Sequence, residues 1–255
     1  MLPYKNEIGD IAGDINAMLD KLEEMSRNIF DTQQRLYETE LSRKQSELYA
    51  LQSQVNPHFL YKTLQCIRGS AGARDVSEIA DISTAIADIF RYSIKGGDFV
   101  NFESEINIIR QYLRIIDIRF DKAFQWSIDV EDEILACSTI KMILQPLIEN
   151  AVYHGLEKKG GGGVLSVKGR VRGGRIHIEI LDNGEGMLPE KLQSLKEVLS
   201  DIRLLDLNIT KKQSIVICNI QKRIKLLLGE SYGISIESRL GFGTKVSVVL
   251  PVINI

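Results

Sequence analysis

The chain has 255 residues, 44% of them apolar and 26% charged, with acids and bases interspersed to a formal net charge of −2. That length holds one or two compact domains, and the charge balance offers no surface to a polyanion, so nucleic acid is not expected as a direct partner. Cys66, Cys137 and Cys218 are scattered without metal-ligand spacing and fit thiols in a reducing compartment; no apolar run approaches the roughly 18 residues that span a bilayer, so the chain as it stands is expected to be soluble.

Apolar residues first fall at Ile8, Ile11, Ile15, Met18, Leu22, Met25 and Ile29, alternating steps of three and four. A strict 3.5-residue repeat predicts a coiled-coil seam between two copies of the chain, with a single amphipathic helix on a globular core as the alternative. Glu7, Ile8, Gly9, Asn16 and Met18 resemble the second helix of a HAMP linker. The likeness implies the cytoplasmic portion of a bacterial inner-membrane receptor, held in the membrane by transmembrane segments outside this chain. Residues 1–24 are then the C-terminal part of the linker, and 25–50 a signalling coiled-coil helix or a plain spacer. The stripe changes phase between Leu36 and Leu41, the mark of a locally unwound joint.

Residues 51–67 read LQSQVNPHFLYKTLQCI. The apolar positions are helical in spacing, yet Pro57 cannot donate to the carbonyl of Ser53, so a bend is expected just before His58. A projecting imidazole with a near-neutral pKa is a nucleophile; a satisfied structural histidine is the alternative. NPHFLYKTL resembles the phosphoacceptor motif N-P-H-F-L-Y-N-T-L of bacterial sensor histidine kinases of the YesM and LytS type, departing only at Lys62. The resemblance implies that His58 accepts a phosphoryl group. Lys62 sets a flexible cation one turn away, where the family has an asparagine that helps orient the imidazole. GSAGARD then supplies a turn, Asp75 or Ser77 a cap, and a helix to about Ile94 carries Ile79, Ile82, Ile86, Ile89 and Phe90 to pack on the first. Residues 51–98 thus form a helical hairpin, and two hairpins in a homodimer a four-helix bundle.

A further helix over 100–120 matches the family's connecting helix at Glu103, Glu105, Tyr112, Leu113, Arg119 and Phe120. Strand-like alternation follows at 124–130, 164–170, 175–181, 234–237 and 245–250, with helical stretches at 139–154, 189–205 and 217–228. The fold class is α+β: an N-terminal coiled coil and dimeric helical hairpin, then a domain of one mixed sheet covered by helices over 99–255.

Within that domain, Glu149, Asn150 and His154 share a helix, LDNGEGM closes a strand with an acid and two glycines, and GFGTKV precedes the last strand. Each alone has a bland reading: a polar helix face, a strand-end turn, a hairpin. In this order they resemble the nucleotide-binding boxes of the GHKL (Bergerat) ATPases. The resemblance implies ATP and Mg²⁺ as cofactors, with Asn150 holding the metal on the phosphates and Glu149 orienting the complex or polarising a nucleophile. His154 would face the phosphates, and Asp182 would accept from the adenine amino group. Gly184 and Gly186 would shape the turn at the base, Gly241, Gly243 and Thr244 would close the far side, and residues 187–216 would be a mobile lid. Ser214 and Val216 stand where the family has glycines, which restricts positive φ and suggests weakened binding.

The expectation is an ATP-dependent protein-histidine kinase that phosphorylates His58 and passes the group to an aspartate of a response regulator. The alternative is a weakly ATP-binding or inactive signalling scaffold of the same fold, for which Lys62, Ser214 and Val216 speak.

Overall fold

A computed structural model describes Lys21 and residues 57–159, 162–200 and 212–253. The heptad stripe, the HAMP-like stretch and the bend expected before His58 lie outside the described residues.

Helix α1 (Pro57–Gly72) opens on proline, which suits a first helical turn because its missing N–H needs no partner there. It runs past the expected end at Arg68. The turn that follows places Asp75 in the left-handed region at φ 55, so it cannot cap α2 (Ser77–Ile94), whose N-cap is Val76 with no side-chain bond. The buried positions of α2 are the small Ser83, Ala85 and Ala87, while Ile79 and Ile86 are exposed, so within one chain part of the expected packing stripe stays uncovered.

Strand β1 (Phe99–Asn101) leads into α3 (Phe102–Arg119), capped by Asn101, whose side chain accepts from the Ser104 N–H. Strand β2 (Phe124–Val130), the short helix α4 (Asp132–Leu135) and β3 (Ser138–Ile140) follow, and β3 pairs with β1. Helix α5 (Leu144–Asn150) runs directly into a π-helix (Ala151–Leu156). Here the sequence expectation of one helix over 139–154 is corrected. Its first residues are a β-strand, and the helix starts only after Met142, which sits at φ 56. Strands β4 (Gly163–Arg172) and β5 (Arg175–Asp182), helices α6 (Pro189–Ser200) and α7 (Lys212–Leu228), and strands β6 (Gly233–Arg239) and β7 (Gly243–Pro251) complete the chain.

The main sheet has the order β2-β4-β5-β7-β6, with only the β2–β4 pair parallel. One face is apolar at every second residue, with Leu165 and Val167, then Ile176, Ile178 and Ile180, then Val246, Val248 and Leu250 all buried. They meet Ile109 and Leu113 of α3, Leu147 of α5, Leu195 of α6 and Ile224 of α7 in one core. This is a two-layer α/β sandwich behind a helical hairpin, as the sequence implied.

Within the stretch expected as a mobile lid, residues 189–200 and 212–216 are helix. α6 buries Leu195, Val198 and Leu199, and Val216 packs against the core from within α7. In that helical conformation neither Ser214 nor Val216 calls on the left-handed freedom of glycine. Residues 201–211 lie outside the described residues.

Gln221 ties these elements together. Buried in α7, it donates through Nε2 to the Leu199 carbonyl (3.0 Å) and accepts at Oε1 from the Ile234 N–H of β6 (2.7 Å). Gln221→Leu would strand one buried donor and one buried acceptor at about 1–3 kcal/mol each, so the variant is expected to lose roughly 2–4 kcal/mol in urea unfolding. A loss under about 1 kcal/mol would mean that both groups find other partners.

Candidate nucleotide cleft

A cleft of roughly 780 Å³, part of it open to solvent, lies where the π-helix, the end of β5, α6 and the start of β7 converge. Asn150, His154, Asp182, Gly186 and Thr244 all line it, so residues far apart in sequence share one cavity. Glu149 does not line it; its carboxylate accepts from the side chain of Gln145 (2.8 Å) along the same helix. His58 and Lys62 are on α1, away from the cleft lining.

The helix widens where it enters the site. A π turn carries an extra residue, and such turns gather at functional positions because they cost helix stability. Asn150 is the last residue before it. Its Nδ2 is buried without a hydrogen-bond partner among the described residues, a vacancy that costs on the order of 1–3 kcal/mol. Rotated end over end, the same amide offers its oxygen instead, and one neutral oxygen suits Mg²⁺, which keeps most of its waters and is otherwise held by substrate phosphates.

Asp182 ends β5. Burial pushes its carboxyl above the usual value, while the amides of Gly184 and Thr244 pull it back down, the first at 2.9 Å from Oδ1. Its surroundings depend on missing side chains. A Cβ on Gly184 would lie 2.3 Å from the backbone of Gly155, and one on Gly243, at φ 105, would lie 1.9 Å from the Asp182 carbonyl oxygen. Gly186 and Gly241 are also left-handed, and the Gly241 N–H donates to the Glu185 carbonyl (2.6 Å), locking the two glycine segments together. Thr244 shares a hydroxyl contact with Ser238 (2.9 Å).

His154 is partly buried, its ring edge-on to Tyr153. Burial first, and then the cations Lys158 and Lys191, hold its pKa below the ordinary value, so at neutral pH it is a neutral imidazole. Lys158 and Lys191 also line the cleft, Lys158 in an ion pair with Glu185 (3.0 Å). Neither was singled out by the sequence, in which a lysine aimed at a cavity reads like any surface lysine.

The buried carboxylate of Glu105 accepts from the amides that lead into α5: Met142, Ile143 (3.2 Å) and Leu144 (3.1 Å). The hydroxyl of Tyr92, on α2, donates to the same carboxylate. The sequence had marked Glu105 only as part of a helix pattern.

Gly184→Ala is expected to force the loop off the π-helix, costing about 1–3 kcal/mol in thermal unfolding. An unchanged melting temperature would show that the loop yields freely.

Against known families, residues 46–124 match the family described as "Histidine kinase", and residues 138–254 match "Histidine kinase-, DNA gyrase B-, and HSP90-like ATPase". The sensor histidine kinase YesM of Bacillus subtilis is 33% identical over 90% of this chain and 37% of its own length. The sensor protein LytS of Bacillus cereus is 31% identical over 91% of this chain and 39% of its own. YwpD of Bacillus subtilis, described as a putative uncharacterized protein, is 33% identical over 80% of this chain and 69% of its own length. The chain therefore spans well under half the length of YesM and of LytS. With an ATPase-type cleft behind a histidine-bearing hairpin, and relatives of this kind along most of its length, the chain belongs to the sensor histidine kinases of the YesM and LytS type.

Proposed function

We propose that the chain is the kinase portion of a two-component sensor, transferring the γ-phosphoryl group of ATP to His58 and then to an aspartate of a response regulator. The observation that carries this reading is the buried, unpartnered amide of Asn150 in the same cleft as the carboxylate of Asp182. Asp182 would accept from the adenine amino group, and Gly184, Gly186, Gly241 and Gly243 would let backbone close around the base. Asn150 would hold Mg²⁺, which when bound neutralises phosphate charge. Lys158, Lys191 and a neutral His154, which line the same cleft, would donate to the phosphates, and Glu149, held by Gln145, would act by steadying the helix. A neutral nitrogen of His58 attacks the γ-phosphorus as the bond to the bridging oxygen breaks, and ADP leaves. The chemistry asks mainly for in-line positioning.

The exposed Phe59, Ile79 and Ile86 support pairing of two hairpins in a homodimer. Residue boundaries near 24, 50 and 98 belong to the same proposal, as does attachment to the bacterial inner membrane through segments outside this chain, which the HAMP-like residues support. Among the described residues, no helix is long and apolar enough to cross a membrane.

Incubation of the chain with γ-labelled ATP and Mg²⁺ is expected to give an acid-labile, alkali-stable label. His58→Ala should abolish it while ATP affinity by calorimetry stays the same; persistent label would remove His58 as acceptor. Asp182→Asn swaps an acceptor for a mixed donor at the adenine edge and is expected to cost about 1–3 kcal/mol of ATP binding. Unchanged affinity would place the base elsewhere.

A further inference from the structure

The turn holding Lys141 and Met142 is gripped from three helices. From α3, Glu105 accepts the amides of Met142, Ile143 and Leu144, the donors that a helix start otherwise leaves without partners. From α2, Tyr92 donates to Glu105, and in the opposite direction Lys141 reaches back with Nζ to the carbonyls of Ser93 (3.1 Å) and Lys95 (2.7 Å), at the negative end of that helix. From α7, Arg223 donates to the Lys141 carbonyl (2.9 Å).

We propose that Tyr92 and Glu105 are positioning residues, through which the last turn of α2 sets the placement of the helix that ends in Asn150. The proposal rests on the reading of the cleft as a nucleotide site. Glu105 is fully buried and accepts from all four donors at once, so losing the Tyr92 hydroxyl frees the carboxylate to move and loosens its hold on the three amides. Helix α5 is only seven residues long and runs directly into the π turn, so displacement of its start carries to Asn150 at its end. Met142 supplies the second state. A non-glycine residue in the left-handed region is strained and is held only by its neighbours, so loosening the grip lets the turn relax into another arrangement. Coupling of this kind is reciprocal: whatever the hairpin does to the cleft, a ligand in the cleft must do to the hairpin.

Tyr92→Phe tests this with little disturbance. It removes one hydroxyl and keeps the ring under the Lys141 ammonium (5.3 Å), while Glu105 retains its three backbone donors. Tyr61→Phe is the control, since its hydroxyl serves Arg91 and Gln65 elsewhere on the hairpin. Hydrogen exchange is followed on the full chain, free and with saturating ADP and Mg²⁺, and calorimetry reports ADP binding. In the free chain, amides 142–144 of Tyr92→Phe are expected to exchange about tenfold faster than in the wild type or the control, with β5 unchanged. ADP is expected to alter exchange in the last turn of α2 in the wild type and the control, and not in Tyr92→Phe. Wild-type rates at 142–144 in Tyr92→Phe, faster exchange throughout the sheet, or a nucleotide effect on α2 that is absent from the wild type or survives in Tyr92→Phe would each overturn the proposal. If the wild type binds no ADP, the nucleotide reading alone falls, and the rates at 142–144 in the free chain still decide whether the joint exists.

Discussion

The cleft exists because three stretches of backbone approach more closely than side chains would allow. Gly155 of the π-helix, Gly184 of the loop after β5 and Gly243 at the start of β7 all crowd around Asp182. Any Cβ there would collide with backbone or with the carboxylate itself. The sheet fixes where β5 and β7 end, since Asp182 pairs with Thr244 in the ladder, and the helix is pressed onto both by Leu147 and Val152 of the core. Position of the carboxylate and shape of the cavity are thus one constraint.

Charge follows from that geometry. Asp182 is desolvated and its ionised form depends on backbone amides, while burial first, and then the charges of Lys158 and Lys191, hold the pKa of His154 down. The positive charge at the cleft therefore resides on Lys158 and Lys191, whose long side chains can follow a ligand.

The strands were legible because the sheet is apolar on one face only, which writes a period of two into β4, β5 and β7. The sandwich follows from that alternation and the helices between. The start of α5 was not legible: the run T-I-K-M-I-L is as apolar as a helix. What breaks it is a turn held by Glu105 and Arg223, partners distant in sequence. The buried face of α6 was hidden in the same way, because the end of that helix is held through the Leu199 carbonyl by Gln221, a partner distant in sequence. At the site, motif order found Asn150, His154 and Asp182, since each is a residue type with a specific chemistry. Glu149, named by the same motif, is not among the residues lining the cleft, because its carboxylate is taken up by the side chain of Gln145 one turn earlier. Lys158 and Lys191 carried no motif.

The π-helix holds one more residue than an α-helical turn would over Ala151–Leu156. In effect it is a one-residue insertion whose strain the chain has kept. Were these same six residues wound as an α-helix, each would advance about 100° instead of the smaller step of the π turn, and everything beyond would swing around the axis. His154 would leave the cleft, and Gly155 would no longer meet Asp182. The register between the helix and the sheet is thus carried by a defect in the helix, and homologous chains can be aligned through this segment only if that extra residue is counted.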